Sequence, residues 1–233
     1  MNVDFDALQK YCSGVYDKYA DKYQELLKQV ELKTVRNEYT GESNIELGYY
    51  SPSLVVDIVV DNAKRGKFHV RTPKIKHYEY CFDDTDRLIC TKQYPGYRED
   101  NEVCLMCFYI YEETYTLILG FALSLEDISL NFIARCNYKD SKLIEYWFSK
   151  MWKNILDIDI EQYEYDTTGY LRLCDNAHYM RVENKLISDE WMRYMFLHDE
   201  KGYISQYSAQ RYKHGKPMYP SIFDVPISKR RKV

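Results

Sequence analysis

Cysteine and histidine are the residue types of this chain that could supply metal or redox chemistry. Cys104 and Cys107 have the C-x-x-C spacing of a zinc knuckle or a redox dithiol, but such a pair without a second set of ligands is a weak signal. Residues three apart in a β-strand point to opposite faces, so we expect these two thiols to diverge. No histidine has a helical or hairpin spacing to Cys, Asp or Glu that would form a metal site; the five are His69, His77, His178, His198 and His214. The sequence therefore predicts no metal ion and no cofactor.

Motifs of hydrolases and nucleotide-binding proteins are missing from the sequence. There is no Gly-x-Ser-x-Gly elbow that would present a nucleophilic serine. The nine glycines form neither a phosphate-binding loop nor the dinucleotide fingerprint. We therefore predict a protein without catalytic activity.

Two short segments carry clusters of basic residues. Residues 64–67, followed by Arg71, Lys74 and Lys76, could receive a phosphate group, but a solvated helix end and loop is the favoured interpretation. Residues 228–233 resemble a nuclear localisation signal, and here a solubilising tail is favoured. The whole chain has a formal net charge of −4 and lacks the basic footprint of a nucleic-acid-binding protein. We expect no nucleic-acid partner, whereas a basic protein would be attracted.

A repeated sequence motif, called the repeated phrase below, predicts the β-hairpins that must position any site. An alternating aromatic run reaches an Asp, passes through a short polar turn and resumes as a second alternating run. The Asp side chain can accept a bond from a backbone N–H further on, and Gly tolerates positive φ, so each copy predicts a β-hairpin. The copies lie at residues 78–88, 163–171 and 196–204, with a degenerate fourth at 136–144.

Hairpin tips and their flanking aromatic residues are the predicted partner-binding sites. The candidates are Asp83, Asp84, Asp166, Tyr170, Asp199 and Tyr203. Each also has a simpler explanation, since Asp forms turns and Tyr packs on a sheet. The 25 tyrosines suit both a half-solvated sheet and a binding surface. We expect most of them to belong to the sheet and a minority to anchor a partner.

The beginning of the chain is predicted to be helical. Apolar residues at three- and four-residue steps over 3–31 predict one amphipathic helix, long enough to cross a sheet. Residues 32–48 are polar and predict a loop. Ser51 as a cap, Pro52 at the first helical position and Gly66 after the last predict a second, short helix, although its β-branched composition also suggests a strand.

From residue 77 to 210 the sequence predicts successive β-strands. Their predicted ranges are 77–83, 87–94, 102–112, 114–123, 127–138, 142–149, 160–166, 170–174, 177–184, 192–198 and 203–210. Residues 186–195 could instead form one helical turn. Short turns between sequential strands give antiparallel pairs. The predicted fold is therefore α+β and mostly β, with an N-terminal amphipathic helix and a short second helix packed on a long twisted antiparallel β-meander.

The domain organisation and the cellular location are predicted from the lack of linkers and of long apolar stretches in the sequence. No linker rich in Pro, Gly or Ser divides it, so residues 1–233 are predicted to form a single domain. It would comprise a helical N-terminal part (1–67), a β-hairpin meander (77–210) and a C-terminal tail (217–233). There is no stretch of about 18 apolar residues, so we expect no membrane span. An acidic N-terminus, unlike a secretory signal, and an odd number of cysteines, seven, predict a cytoplasmic protein with reduced thiols.

Two copies of the repeated phrase suggest a family. Residues 78–89 and 163–171 resemble the tyrosine–aspartate (YD-like) repeats of bacterial toxin shells. With its leading helix and the segment from Tyr50 to Lys67, the chain looks like the cytoplasmic immunity proteins that accompany polymorphic toxins in Gram-positive bacteria, over residues 46–207. The resemblance implies a protein that neutralises a partner toxin by direct binding, without catalysis. The acidic charge would complement a basic toxin domain.

Two other interpretations stay open. A structural or ligand-binding β-scaffold protein would share this fold without a toxin partner, and could self-associate through exposed strand edges. A cryptic enzyme would need a pocket with convergent polar groups of shifted pKa, and the sequence argues against it.

Overall fold

The computed structural model describes residues 3–60, 62–95, 102–124, 126–152, 155–182, 185–186, 190–213, 215–226, 229 and 232. The helical elements within them are α1 (Phe5–Tyr19), α2 (Tyr23–Lys33), a 3-10 turn (Gly48–Tyr50) and α3 (Val56–Val59). The strands are β1 (Arg36–Thr40), β2 (Tyr78–Phe82), β3 (Leu88–Gln93), β4 (Leu105–Tyr111), β5 (Tyr115–Leu123), β6 (Ile128–Lys139), β7 (Lys142–Trp152), β8 (Ile155–Tyr165), β9 (Leu171–Val182), β10 (Lys185–Leu186), β11 (Trp191–His198), β12 (Ile204–Lys213), β13 (Lys216–Pro217) and β14 (Ser221–Asp224). His214 and most of the basic segment 228–233 lie outside the described residues.

The strands form one sheet in which neighbours in the chain are mostly neighbours in space. Strands β1 to β9 follow one another in chain order, and β11 and β12 come next. The short β10 pairs with the end of β9, while β13 and β14 both pair with β12. The prediction of an α+β, mostly β fold built on a long antiparallel meander is confirmed.

The chain divides into two compact units. Residues 5–52 and 62–134 form the N-terminal unit, which holds α1, α2, β1 to β5 and the first part of β6. The C-terminal unit consists of the described residues among 3–4, 53–60 and 135–232, and it holds α3, the rest of β6 and the later strands. The expected single domain stays a prediction.

Helices α1 and α2 cover one face of the sheet in the N-terminal unit. The ring of Tyr23 lies 5.8 Å from that of Phe108 and 5.5 Å from that of Phe121, and its hydroxyl donates to the sulfur of Met106 at 3.7 Å. The single helix predicted over 3–31 is wrong, because the chain turns between Tyr19 and Tyr23. The buried apolar residues of both helices follow the same three- and four-residue spacing. The spacing alone therefore does not show that the helix is interrupted between Tyr19 and Tyr23. Within the described residues, every helix is too short or too polar to span a membrane.

The opposite face of this unit is an aromatic cluster built on β2. Tyr78, Tyr80 and Phe82 are buried there under Tyr49 and Tyr50. The backbone N–H of Tyr49 donates to the Tyr80 hydroxyl at 2.8 Å, which fixes the 3-10 turn on the sheet. β1 lies within residues 32–48, where a loop was predicted. Its sequence is polar because it is an edge strand, and it gains its order from pairing with β2.

The C-terminal unit departs from the predicted boundaries in three places. The predicted strands 170–174 and 177–184 are one strand, β9, since Asp175 and Asn176 stay paired with β8. α3 has four residues and is not capped by Ser51; the backbone N–H of Val56 donates to Ser53 Oγ at 3.2 Å. Its β-branched residues disfavour a longer helix. β11 begins at Trp191, so strand replaces the alternative helical turn there, and β14 lies within the predicted tail.

Gly120 on β5 is a point of close packing in the N-terminal unit. A Cβ built at this position would lie 2.1 Å from Cε1 of the Phe132 ring, which is itself buried on β6. Gly14 on α1 is the opposite case, because no described atom beyond its chain neighbours and its own helix backbone lies within 4 Å of an added Cβ. The two glycines therefore provide a matched pair for testing how tightly this core is filled.

We expect Gly120→Ala to lower the free energy of unfolding by about 1–3 kcal/mol, because the Phe132 ring must shift within a filled core. Gly14→Ala should raise it by about 0.5–1 kcal/mol, since alanine is the better helix former. Urea denaturation of both variants checks the two signs. A loss at Gly14 as large as that at Gly120 would contradict the packing described.

Candidate partner-binding site

The three predicted hairpin tips have the same turn geometry, which is described first at Asp166. Its Oδ1 accepts the backbone N–H of Thr168 at 2.9 Å, the Thr168 hydroxyl at 2.7 Å and the N–H of Tyr170 at 3.0 Å. The N–H of Gly169 donates to the Asp166 carbonyl at 3.1 Å, and Gly169 has a φ of 94°. This is a tight turn followed by a left-handed residue, the arrangement of a hairpin with a bulge.

The same bonds recur at the other two tips. Oδ1 of the leading Asp accepts two backbone N–H groups, from Thr85 and Arg87 to Asp83 at 3.0 Å each, and from Lys201 and Tyr203 to Asp199 at 2.9 and 3.0 Å. The left-handed position is held by Asp86 (φ 63°) in the first tip and by Gly202 (φ 81°) in the last. A register shift adjoins each of the three turns. The repeated phrase in the sequence therefore encodes a repeated turn.

Asp83 is the most constrained of the three. Its side chain is buried, and the Arg87 guanidinium donates to its Oδ2 at 3.1 and 3.2 Å. Burial raises the pKa of Asp83, but the N–H of Arg87, the hydroxyl and N–H of Thr85 and the guanidinium together outweigh it and lower the pKa to about 2. Both carboxylate oxygens are thus engaged within the hairpin. Asp84, the next residue, is exposed.

Three hairpin tips of the C-terminal unit contact one another in a row. The Lys142 ammonium, at the β6–β7 turn, donates to the carbonyl of Gly169 at 3.2 Å. The ring of Tyr170 stacks on that of His198 at 5.0 Å, and His198 Nε2 lies 2.7 Å from the carbonyl of Leu171. The β6–β7, β8–β9 and β11–β12 tips thereby form one surface, called the tip row below.

The tip row brings together four of the six predicted residues. Asp166 and Tyr203 are exposed, whereas Asp199 and Tyr170 are half-buried. Tyr170 has a packing role, since a Cβ at Gly202 would lie 2.4 Å from its hydroxyl. From the basic segment, Lys232 places its ammonium 5.3 Å from the centre of the Tyr203 ring.

Asp83 and Asp84 belong to a different surface, in the N-terminal unit. They line a cleft of about 590 Å³ between α2 and the β2–β3 hairpin, called the α2 cleft below. Its walls include Leu32, which is 77% exposed, Val35, which is 66% exposed, and Tyr111, which is 39% exposed. The sequence does not indicate the α2 cleft, because the polar residues of 32–48 predict only a loop.

A buried carboxylate that sequence analysis missed holds part of the C-terminal unit together. Glu161 is 8% exposed and accepts the Ser53 hydroxyl at 2.8 and 2.9 Å, and the Tyr163 hydroxyl also donates to it. The N–H of Leu54 donates to the Tyr163 hydroxyl at 3.1 Å. The pKa of Tyr163 is raised well above its usual value. Burial is the larger cause, and the negative charge of Glu161 is the second. The bonds attach residues 53–54 to β8, which is a structural role.

The N-terminal unit contains a similar carboxylate at Glu79, which is also nearly inaccessible. It accepts the Tyr94 hydroxyl at 2.8 Å and the ammonium groups of Lys76 and Lys92 at 3.1 Å each. Burial raises the pKa of Glu79, but these three donors outweigh it and the pKa is lowered. A carboxylate with every donor in place is stable as an anion and is not poised for proton transfer.

The cysteines form no disulfide, and Cys104 is partly accessible whereas Cys107 is buried. Burial raises the pKa of both thiols. In the described part of the chain, no group of three or more His, Cys, Asp or Glu side chains is placed to hold a metal ion. His178 Nε2 lies 2.7 Å from Oδ1 of Asp157 and its Nδ1 lies 3.8 Å from Oδ1 of Asp159, so the two carboxylates contact different nitrogens of the imidazole ring.

The role of Asp83 predicts a specific pH dependence of stability. Its pKa is lower in the folded state than the value of about 3.9 in an unfolded chain, so its contribution is present above pH 4 and is lost as the pH falls toward 2. Asp83→Ala should lower the free energy of unfolding by about 1–3 kcal/mol at pH 7, since it leaves backbone N–H groups without their acceptor. Asp83→Asn, which keeps an Oδ1 acceptor, should lose less and show a flatter dependence between pH 4 and 2. Urea midpoints across this range test both; parallel profiles for wild type and Asp83→Asn would contradict the assignment.

No protein-family model matches this chain, and no curated protein or solved structure is significantly similar to it. Its function is therefore inferred from its own residues.

Proposed function

We propose that this chain is a non-catalytic binding protein of the immunity type, which neutralises a partner toxin by direct binding. The observation that carries the proposal is the α2 cleft, where exposed apolar side chains lie beside an acidic hairpin tip. Leu32, Val35 and Tyr111 offer apolar and aromatic surface to solvent beside charged side chains, which is the composition of a protein interface with an apolar core and a polar rim. Aromatic residues in a concave site are the usual anchors of a protein interface.

The lining of the α2 cleft is of mixed charge, since Lys33 and Arg87 lie there with Asp83 and Asp84. The preference for a basic partner comes from Asp84 at the rim and from the net charge of the chain. Asp84 is exposed at the rim of the α2 cleft, while its neighbour Asp83 is engaged by Arg87. The chain as a whole carries −4. A protein of net negative charge accelerates the encounter with a basic domain and disfavours acidic competitors.

The tip row is a second surface that a large partner could contact. Asp166 uses Oδ1 for its turn, and the ring of Tyr203 is partly open to solvent. These residues combine acidic and aromatic character, as in the α2 cleft. Their contribution to binding is separable from their contribution to the turn, because asparagine retains the turn acceptor and removes the charge.

The partner can be identified with the tagged chain as bait in a lysate of its native host. Proteins retained in stoichiometric amount through a salt wash would be identified by mass spectrometry, and the small basic domain among them expressed with and without this chain. We expect that domain to stop growth when expressed alone and to be harmless when this chain is co-expressed. A clean bait with no partner would favour the structural or ligand-binding scaffold instead.

With the partner in hand, Val35→Asp tests the α2 cleft. A charge at this apolar wall should weaken binding at least tenfold, as expected for a residue at the centre of an interface. Val70→Asp is the matched control, since Val70 is fully exposed in the same unit and does not line the cleft. Titration calorimetry on both variants measures the difference. Equal affinities would exclude the α2 cleft as the contact surface.

The contribution of charge is tested by Asp84→Lys and by the double variant Asp166→Asn/Asp199→Asn. Asp84→Lys should slow association several-fold at low salt and have little effect at high salt, because exposed charges act mainly through steering. The double variant should bind more weakly if the tip row is in contact, and its melting temperature shows whether the turns persist. Stopped-flow rates at two salt concentrations are the measurement. Association that is independent of both substitutions would contradict an acidic contact surface.

A further inference from the structure

A second cleft in the N-terminal unit has a different chemical character from the α2 cleft. It lies between the side of α1 and the β4–β5 hairpin, has a volume of about 540 Å³ and is called the α1 cleft below. This volume is within the range of about 300–1,000 Å³ that small-molecule sites occupy. The site is unrelated to the tip row, and neither Asp83 nor Asp84 lines it.

The interior of the α1 cleft is apolar and aromatic. Val15 and Leu117 form buried walls, and the rings of Tyr11, Tyr19 and Tyr115 surround the opening. Gly14 leaves the side of α1 open, since no described atom beyond its chain neighbours and its own helix backbone comes within 4 Å of an added Cβ. The opening exists because small residues, Gly14 and Ala7, occupy one side of the helix while larger ones flank it.

Two cations lie at the mouth of this apolar space. Lys10 and Lys18 line the α1 cleft from the same helix, eight residues apart, which is about 12 Å along the axis. Both are exposed, and Lys18 interacts electrostatically with Glu112 of the same lining. The Lys18 ammonium lies 4.8 Å from the centre of the Tyr19 ring, which holds it at the opening. Glu112 is the acidic residue of the lining and comes from the hairpin side.

We propose that the α1 cleft binds a small amphipathic anion, an alkyl or aryl carboxylate whose apolar body enters between α1 and the β4–β5 hairpin. Its head group pairs with Lys18 or Lys10 at the mouth. Charge complementarity selects an anion over a cation, and the apolar walls select a hydrophobic body over a free inorganic ion. Glu112 on the facing side disfavours a second negative charge on the ligand. This inference is independent of the proposed toxin partner.

The test uses the purified full chain and three probes of equal chain length: decanoate, decanol and decyltrimethylammonium, each below its micelle concentration. Titration calorimetry should show decanoate binding once per chain and at least tenfold more tightly than decanol, with decyltrimethylammonium weakest. Equal affinities for the three would overturn the proposal, because they would mean non-specific apolar adsorption. Absence of decanoate binding would overturn it as well.

Two variants locate the site. Gly14→Leu should fill the opening and abolish binding of decanoate and decanol alike, whereas Lys18→Met should weaken decanoate about tenfold and leave decanol unchanged. Lys28→Met on α2 is the control, since it removes the same charge away from the α1 cleft and should bind as wild type. Circular dichroism confirms that each variant is folded. Decanoate affinity that is unchanged in Gly14→Leu, or equally reduced in Lys28→Met, would overturn the assignment of the site.

Discussion

The register of the long hairpins is the constraint on which the rest of the structure depends. Side chains alternate between the two faces of a strand, so a slip of one residue would move every buried side chain to the wrong face. In β2 the present register pairs Tyr80 with Thr91 and Cys81 with Cys90. It directs Tyr80 into the aromatic cluster, and Cys81 lies next to Thr34, which follows α2. The Asp83 turn fixes this register at the point where the two strands meet.

Tyrosine hydroxyls form hydrogen bonds with polar groups that are buried in or against the sheet. Tyr94 donates to Glu79, Tyr163 donates to Glu161, and the Tyr80 hydroxyl receives the N–H of Tyr49. A phenylalanine at any of these positions would fill the same space but leave a buried donor or acceptor without its bond. These three tyrosines are therefore structural, and the expectation that most tyrosines belong to the sheet stays a prediction.

The hairpins could be predicted from sequence because their signals are local. An Asp, a left-handed residue three positions later and alternating flanks determine the turn within a few residues. β1 could not be predicted in the same way, since its polar residues are ordered by pairing with β2, which lies about 40 residues further on. The interruption between α1 and α2, at residues 20–22, could not be predicted either, because the apolar residues of both helices recur at the same spacing.

The two clefts show why the candidate site was only partly predictable. Asp84 is placed by the local turn, but Leu32, Val35 and Tyr111 meet it only through the packing of α2 against β4. The α1 cleft depends on the position of Gly14 relative to a hairpin about 100 residues away in the chain. Such juxtapositions carry no local signal, and no motif in either segment would have indicated them.

Asp83 and Asp84 differ in whether their carboxylates are used by the turn, and the proposed function depends on that difference. Both oxygens of Asp83 accept bonds within the hairpin, so a partner could bind this carboxylate only by breaking the turn. Asp84 is exposed and makes none of the turn's bonds, so its charge can meet a partner at no cost to the fold. The same residue type thus has a structural role at position 83 and, in the proposed function, a recognition role at position 84. Where a repeat places an Asp at the start of each turn, the residue beside it is the better candidate for recognition.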